Sequence, residues 1–110
     1  MNYEVLYTIT AVSDLNNTID YIDHILLDSS AADRLLDMLD TELAHLKDFP
    51  KIHEIIDDPF FKAHGIRYVV VKNYLAFYTV DEDKHIVYII RFLYARRDWI
   101  NVLKDTVFQR

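Results

Sequence analysis

Four arginines and one tyrosine in the second half of the chain are the residues best suited to chemistry. Arg91, Arg96 and Arg97 lie within seven residues of one another, Tyr94 stands between them, and Arg67 precedes them. A guanidinium donates hydrogen bonds in a rigid fork, so such arginines can clamp a phosphate or a partner's carboxylates. A tyrosine beside them can supply a proton or stack on a nucleic-acid base.

Each residue of this cluster also has a purely structural interpretation. One of Arg96 and Arg97 could pair with Asp98, and exposed ion pairs of that kind are common and contribute little stability. Tyr94 could be a core residue whose hydroxyl is hydrogen-bonded. Trp99, which follows, is either a core anchor or part of a groove for a partner. The sequence leaves these alternatives open.

Arg67 and Arg91 fall on strand faces that are otherwise apolar. Simple alternation places Arg91 on one face with Val87, Ile89 and Leu93. A buried arginine must be paired, so either the face is half open and receives a partner, or the side chain extends to the sheet edge. We favour the half-open face, and the same choice applies to Arg67.

Three predicted strands position these residues. Apolar, β-branched and aromatic residues fill positions 66–71, 74–80 and 86–94, a composition typical of strands. The Lys72-Asn73 pair allows a tight turn, and residues 81–85 supply a longer polar loop. Strands joined in this way are antiparallel and form a β-meander.

The first half of the chain predicts one strand and a pair of helices. Alternation at residues 3–9 indicates a strand, and apolar steps of three and four from Ala11 indicate a helix with Asp14 facing solvent. Ser30 resembles an N-cap that starts a second helix, which ends before Pro50. Residues 51–64 read as an irregular loop.

The predicted order is β-α-α-β-β-β-α, with a last short helix after Asp98. Its fold class is α+β, with a helical hairpin packed on one face of a mostly antiparallel four-stranded sheet. We expect Arg67, Arg91 and Arg96 to meet at one rim of this sheet.

Length and composition limit the classes of protein to which the chain can belong. A chain of 110 residues suits one domain, residues 1–110. The absence of Cys excludes disulfides and thiolate metal sites and favours a cytoplasmic setting. The five His include no pair at metal-ligand helical spacing, so we expect no metal and no cofactor. No apolar run approaches a membrane span, and the chain reads as neither exported nor inserted.

The net charge of −6 conceals an uneven distribution. Residues 1–61 carry three Lys or Arg against thirteen Asp or Glu, a charge of −10, whereas residues 62–110 carry +4. An acidic half and a basic half suggest two faces with different partners, although a solvated surface explains such charges equally simply.

Several short motifs, in their order and spacing, resemble the RelE/ParE superfamily of bacterial toxins across almost the whole chain. They are Asp57-Asp58-Pro59, Ile66-Arg67-Tyr68, the segment from Asn73 to Tyr78 with Val80-Asp81, and the segment from Arg91 to Asp98. The resemblance implies a cytosolic toxin of a type II toxin-antitoxin pair. It also implies a cognate antitoxin that wraps the toxin, and thus a hetero-oligomer.

Members of this superfamily have one of two activities, and the residues of this chain favour one of them. RelE-like members cut mRNA on the ribosome, and Arg67, Tyr94 and Arg96 would be the catalytic candidates. However, Leu75 and Val102 stand where that activity expects an arginine and an aromatic residue. ParE-like members bind DNA gyrase and have no established chemistry, so Arg91, Arg96, Arg97 and Trp99 would bind the target or the antitoxin. We therefore favour a ParE-like toxin over a ribonuclease or a non-toxic relic that serves only as an interaction module.

Overall fold

The computed structural model describes residues 2–108 as four strands, four α-helices and one π-helical turn. Their order is that predicted from the sequence. The bounds are β1 Glu4–Tyr7, α1 Ile9–Asp20, a π-helix Tyr21–Ile25, α2 Ser29–Asp48, α3 Pro59–Ala63, β2 Arg67–Val71, β3 Tyr74–Asp81, β4 Ile86–Tyr94 and α4 Trp99–Phe108.

The four strands form one mixed sheet in the order β1-β4-β3-β2. The meander β2-β3-β4 is antiparallel, as predicted, and β1 joins its far edge parallel to β4. Within β4 the register shifts, because Phe77 lies opposite Arg91 whereas Tyr78 lies opposite Ile89. The residue between them, Ile90, is therefore the extra residue of a β-bulge.

The bulge reverses the alternation of β4 and overturns one prediction. Val87 and Ile89 pack in the core beneath the helical hairpin, but beyond the bulge Phe92 takes that direction and Leu93 packs in a second core. The prediction that Val87, Ile89, Arg91 and Leu93 share one face is therefore wrong. An extra residue shifts every later side chain to the other face of a sheet.

The hairpin of α1 and α2 covers the first face. Thr8 caps α1 through a bond from the Ala11 N–H to its hydroxyl, and Asp28 caps α2 by accepting from the Ala31 N–H. The cap of the second helix thus lies two residues before the predicted cap, Ser30. Its buried stripe packs on the sheet and consists of Ala32, Leu35, Leu39, Leu43 and Leu46.

The predicted packing of the helical hairpin on one face is confirmed, but helices also cover part of the second face, which the prediction did not include. Phe61 of α3 and Leu103 of α4 pack on Leu75, Phe77 and Leu93 in the second core. The meander strands are apolar in both directions, which is typical of strands buried on both faces. Residues 51–64 are likewise not wholly irregular, because Asp58 caps α3 and Pro59 opens it.

A largely shielded ion pair joins three elements at the bulge. Arg91 donates from Nε and Nη2 to the two carboxylate oxygens of Asp14 on α1, each at 2.7 Å, and from Nη1 to the Thr106 hydroxyl on α4 at 2.9 Å. Asp14 also accepts from the Phe92 N–H at 3.0 Å. The side chains of Arg91 and Asp14 are only 14% and 11% exposed. Asp14 therefore does not face solvent, contrary to the helix-face prediction.

Within residues 2–108 no helix is both long enough and apolar enough to cross a membrane.

We predict that breaking the Arg91–Asp14 pair destabilises the fold strongly. Asp14→Ala leaves a shielded guanidinium without its counter-charge and should lower the free energy of unfolding by about 3–5 kcal/mol. Asp57→Ala removes the exposed pair of Asp57 with Lys62 and should cost less than about 1 kcal/mol. Urea denaturation of both variants measures the contrast.

A double-mutant cycle with Arg91→Met isolates the pairwise contribution. Asp14→Ala combined with Arg91→Met should be more stable than Asp14→Ala alone, since no buried charge is then left unpaired. Equal small losses for Asp14→Ala and Asp57→Ala would contradict the bracing role.

We also predict a loss of stability at alkaline pH that depends on Tyr78. This tyrosine is fully buried and donates to the Pro50 carbonyl at 3.0 Å, and burial raises its pKa to about 12. The unfolded chain loses this proton near pH 10, so the stabilisation is complete below pH 10 and is lost between pH 10 and 12. Burial, with the charge of Asp40, also raises the pKa of Tyr7 to about 12.

Tyr78→Phe removes one of these two titrations. Chemical denaturation at pH 9 and pH 11.5 should show the variant losing less free energy of unfolding between these pH values than the wild type. At pH 7 the variant should be less stable by about 1 kcal/mol, the contribution of one hydrogen bond. An alkaline loss as steep as that of the wild type would show that Tyr78 does not carry the effect.

Candidate functional site

The end of β4 presents two arginines to solvent. The chain turns directly after Tyr94, because the Arg97 N–H donates to the Tyr94 carbonyl at 3.0 Å and the Ala95 N–H donates to the Asn73 carbonyl at 2.9 Å. Arg96 and Arg97 are exposed, and neither guanidinium has a hydrogen bond or ion pair within the described range. Asp98 instead accepts from the Asn101 amide at 2.8 Å. Pairing with Asp98 therefore does not occupy either arginine.

Three tyrosines lie beside this turn, and we call Tyr21, Tyr74 and Tyr94 the tyrosine end. Tyr74 stacks on Phe92 with ring centroids 5.1 Å apart, and Tyr94 packs edge-on against Tyr74 at 5.6 Å. Tyr94 and Tyr21 are both exposed. Burial, together with the nearby phenols of Tyr94 and Tyr21, raises the pKa of Tyr74 above its ordinary value.

Arg91 belongs to the frame of the fold rather than to this surface. Its guanidinium is held by Asp14 and Thr106, as described above, so Arg91 has partners within the chain, and its role in binding a target or an antitoxin stays a prediction. Neither predicted arrangement, a half-open face or a side chain that extends to the sheet edge, included an acidic partner from α1. The sequence could not identify Asp14 because it lies 77 positions away.

Arg67 lies at the other end of the meander. It opens β2 opposite Tyr78, and its guanidinium donates to the His53 carbonyl at 2.5 Å. Tyr94 lies opposite Tyr74, which precedes Tyr78 by four residues in β3, a separation of roughly 13 Å along the strands. The prediction that Arg67, Arg91 and Arg96 meet at one rim is therefore wrong. Among the catalytic candidates, only Tyr94 and Arg96 are neighbours.

The two apolar replacements in the ribonuclease pattern are structural. Leu75 is 6% exposed and lies in the second core, and Val102 packs against that core from α4. Trp99 packs there as well, with its ring 5.3 Å from that of Phe77 and 6.2 Å from that of Phe61. Trp99 is thus a core anchor in this conformation.

A groove of about 630 Å³ opens on the second face beside α4. It mixes hydroxyl groups with aliphatic side chains and has one acidic residue and two basic ones. Its lining is Thr8, Thr10, His64, Ile66, Thr79, Asp81, Tyr88, Ile90, Arg91, Thr106 and Val107. The described residues contain no group of three or more His, Asp or Glu side chains that could hold a metal ion.

Sequence reasoning missed two members of the tyrosine end. Tyr74 could have been found, because a two-residue turn after β2 and the register of the meander place it opposite Tyr94. Tyr21 could not, because its position depends on how α1 crosses the sheet. The groove residues carry no local sequence signal.

Comparison with solved structures shows a shared fold. The chain is similar to the chromosomal ParDE toxin-antitoxin system from P. aeruginosa, with 15% identity, a TM-score of 0.66 and coverage of 86% of this chain and 97% of that one. It is also similar to an arginine-substituted E. coli RelE toxin in the free state, at 16% identity, TM-score 0.64 and coverage of 99% and 98%. A third similar structure is the Mycobacterium tuberculosis RelBE2 toxin-antitoxin complex, at 19% identity, TM-score 0.54 and coverage of 86% and 99%.

The sequence comparisons are more specific. No curated protein matches the chain by sequence. The profile of one protein family, described as the ParE toxin of the type II toxin-antitoxin system parDE, matches residues 5–99. That span includes all of the sheet except its first residue, the helical hairpin and the turn with Arg96 and Arg97. The chain belongs to the ParE toxin family of type II toxin-antitoxin systems.

Proposed function

We propose that this toxin arrests growth by binding DNA gyrase, without chemistry of its own, and that a cognate antitoxin neutralises it in the cytoplasm. The match to the ParE profile over residues 5–99 supports this branch of the superfamily. Binding to gyrase is what the resemblance to ParE-like members implies.

The burial of Leu75 carries this proposal. Metal-free cleavage of RNA needs a base, an acid and a cation close to the scissile phosphate. At the position where RelE-like members have an arginine, the toxin has a leucine sealed beneath α4. Arg67 lies roughly 13 Å from Tyr94 along the strands, so it cannot complete a site with Tyr94 and Arg96 in this conformation.

The turn after β4 provides a surface suited to binding a protein target. Arg96 and Arg97 are exposed and unpaired within the described residues, and the tyrosine end lies beside them. Arginine and tyrosine are the residue types that most often dominate binding energy at protein interfaces. The side chains of Arg96 and Arg97 can bind a target without first breaking a hydrogen bond within the described chain.

We predict that Arg96→Ala combined with Arg97→Ala raises the toxin concentration needed for half-inhibition of gyrase supercoiling by about tenfold or more. The loss of two charge-assisted contacts would account for an effect of that size. Lys84→Ala is the matched control, because Lys84 is an exposed cation in the β3-β4 loop at the other end of the meander.

Supercoiling that persists in a large excess of wild-type toxin would remove gyrase as the target. Equal inhibition by the double arginine variant and by Lys84→Ala would place the binding surface elsewhere.

One observation favours a second candidate, a ribosome-dependent ribonuclease with a rearranged site. Tyr94 and Arg96 are close neighbours on an exposed surface, and Tyr74 adds a protonated phenol. Incubation of the toxin with translating ribosomes, followed by mapping of mRNA ends, separates this candidate from gyrase binding. If expression of the intact toxin does not arrest growth, the chain is instead a non-toxic relic.

The groove beside α4 offers a site for the antitoxin. Ile66, Ile90 and Val107 line it with apolar surface, and Thr8 and Thr79 add hydroxyl groups for a partner's backbone. A helix or an extended segment can fill a groove of this kind.

We predict that Thr79→Lys raises the Kd of the antitoxin complex by about tenfold, because a long cationic side chain would occupy the groove. Thr41→Lys introduces the same side chain on an exposed position of α2 and should leave the Kd unchanged. Calorimetric titration of both variants with the cognate antitoxin measures the two Kd values. Equal affinities of the two variants would exclude the groove as the binding site.

A further inference from the structure

The tip of the helical hairpin is apolar and acidic. Ile25, Leu26 and Leu27 are consecutive and exposed, at the end of the π-helical turn and directly after it. Asp20 and Asp28 flank them and are exposed as well. We call residues 20–28 the hairpin tip. It contains no Lys or Arg, so its charge is uniformly negative.

Leu27 at this tip has a backbone conformation that leucine rarely adopts. Its φ is +54°, the left-handed region in which glycine is favoured, and its side chain is 81% exposed. One carboxylate oxygen of Asp23 is shielded from solvent and has no hydrogen-bond partner within the described chain. The positive φ ends the helical segment, where the Asp28 N–H donates to the Ile22 carbonyl at 3.1 Å. The Leu27 side chain buries little within its own molecule and is available to pack against another one.

A basic surface of opposite character lies close to the hairpin tip. Lys72 is exposed in the β2-β3 turn, and the bond from the Ala95 N–H to the Asn73 carbonyl holds that turn against the one bearing Arg96 and Arg97. We call Lys72, Arg96 and Arg97 the basic corner.

The tyrosine end separates these two surfaces. The bond from the Thr8 N–H to the Ile89 carbonyl and that from the Phe92 N–H to Asp14 show that α1 runs beside β4 toward its carboxyl end. The hairpin tip that follows α1 and the basic corner that follows β4 therefore lie at the same end of the molecule. One end of the molecule therefore carries an acidic apolar half and a basic half with tyrosines between them.

We propose that two copies of the free toxin associate through this end about a two-fold axis, with the hairpin tip of each copy on the basic corner of the other. A two-fold interface must be self-complementary, since residue i meets residue j and residue j meets residue i. Opposite charges on the two halves of one surface meet that condition. Ile25, Leu26 and Leu27 supply the apolar centre, and the tyrosines are suited to its border.

This association is independent of the cellular target. It would cover Arg96 and Arg97 in the dimer, so only the dissociated monomer would present them. Dimerisation would therefore mask the surface by which the toxin binds its target. A test of dimerisation needs neither gyrase nor a ribosome.

Sedimentation of the full, antitoxin-free chain from 1 to 100 µM tests the proposal. We expect a monomer–dimer equilibrium that weakens as salt rises, because screening reduces attraction between exposed charges. Asp20→Arg alone and Arg96→Asp alone should each be monomeric over this range. An equimolar mixture of the two variants should dimerise again, because both tip-to-corner contacts of the mixed pair then join opposite charges.

A matched pair of variants controls for net charge. Asp83→Arg and Lys84→Asp make the same kinds of change in the β3-β4 loop at the other end of the meander and should dimerise like the wild type.

Leu27→Gly separates dimerisation from folding. Glycine accepts a positive φ, so this variant should melt at the same temperature as the wild type or higher, while its dimer Kd rises at least tenfold. A wild type that stays monomeric at 100 µM would overturn the proposal. A dimer that withstands Arg96→Asp, or a variant mixture that stays monomeric, would overturn it equally.

Discussion

The pair between Arg91 and Asp14 is the interaction on which the arrangement of the fold depends. It lies where β4 is interrupted by its extra residue, and it binds the hairpin on one face of the sheet to the last helix on the other. Both side chains are largely shielded from water, so each requires the other. Because Asp14 also accepts from the Phe92 N–H, the carboxylate compensates for the disturbed ladder directly after the bulge.

The order of the elements and the fold class could be predicted from local sequence patterns. The features of the fold that were not predicted depend on contacts between residues far apart in the sequence. The residues of β2, β3 and β4 alternate or run apolar in ways that strands require, and the leucines of α2 repeat at helical spacing. The bulge at Ile90 leaves no mark in the sequence, since its neighbours are all β-formers. The apolar run through Leu75 and Phe77 is typical of a strand that is covered on both faces. The prediction nevertheless packed only the α1-α2 hairpin on the sheet and left its second face uncovered.

The candidate surface was predicted only in part, for a related reason. Arg96 and Arg97 follow a strand end, and their exposure is a local property of a turn. Arg67 and Arg91 were grouped with them by residue type, yet register places Arg67 at the far end of β2, and burial gives Arg91 a structural partner. Residue type identifies a possible role, whereas strand register decides which side chains can act together.

The extra residue in β4 also limits how the chain can vary in length. Deleting one residue near Ile90 would restore simple alternation and turn every later side chain of the strand over. Leu93 and Phe92 would exchange faces, and the turn bearing Arg96 would leave the strand in the opposite direction. Deletion of one residue is therefore tolerable in the loop between β3 and β4. At the bulge, the same deletion would change the residues that pack in both cores and would move Arg96 and Arg97 away from the tyrosine end.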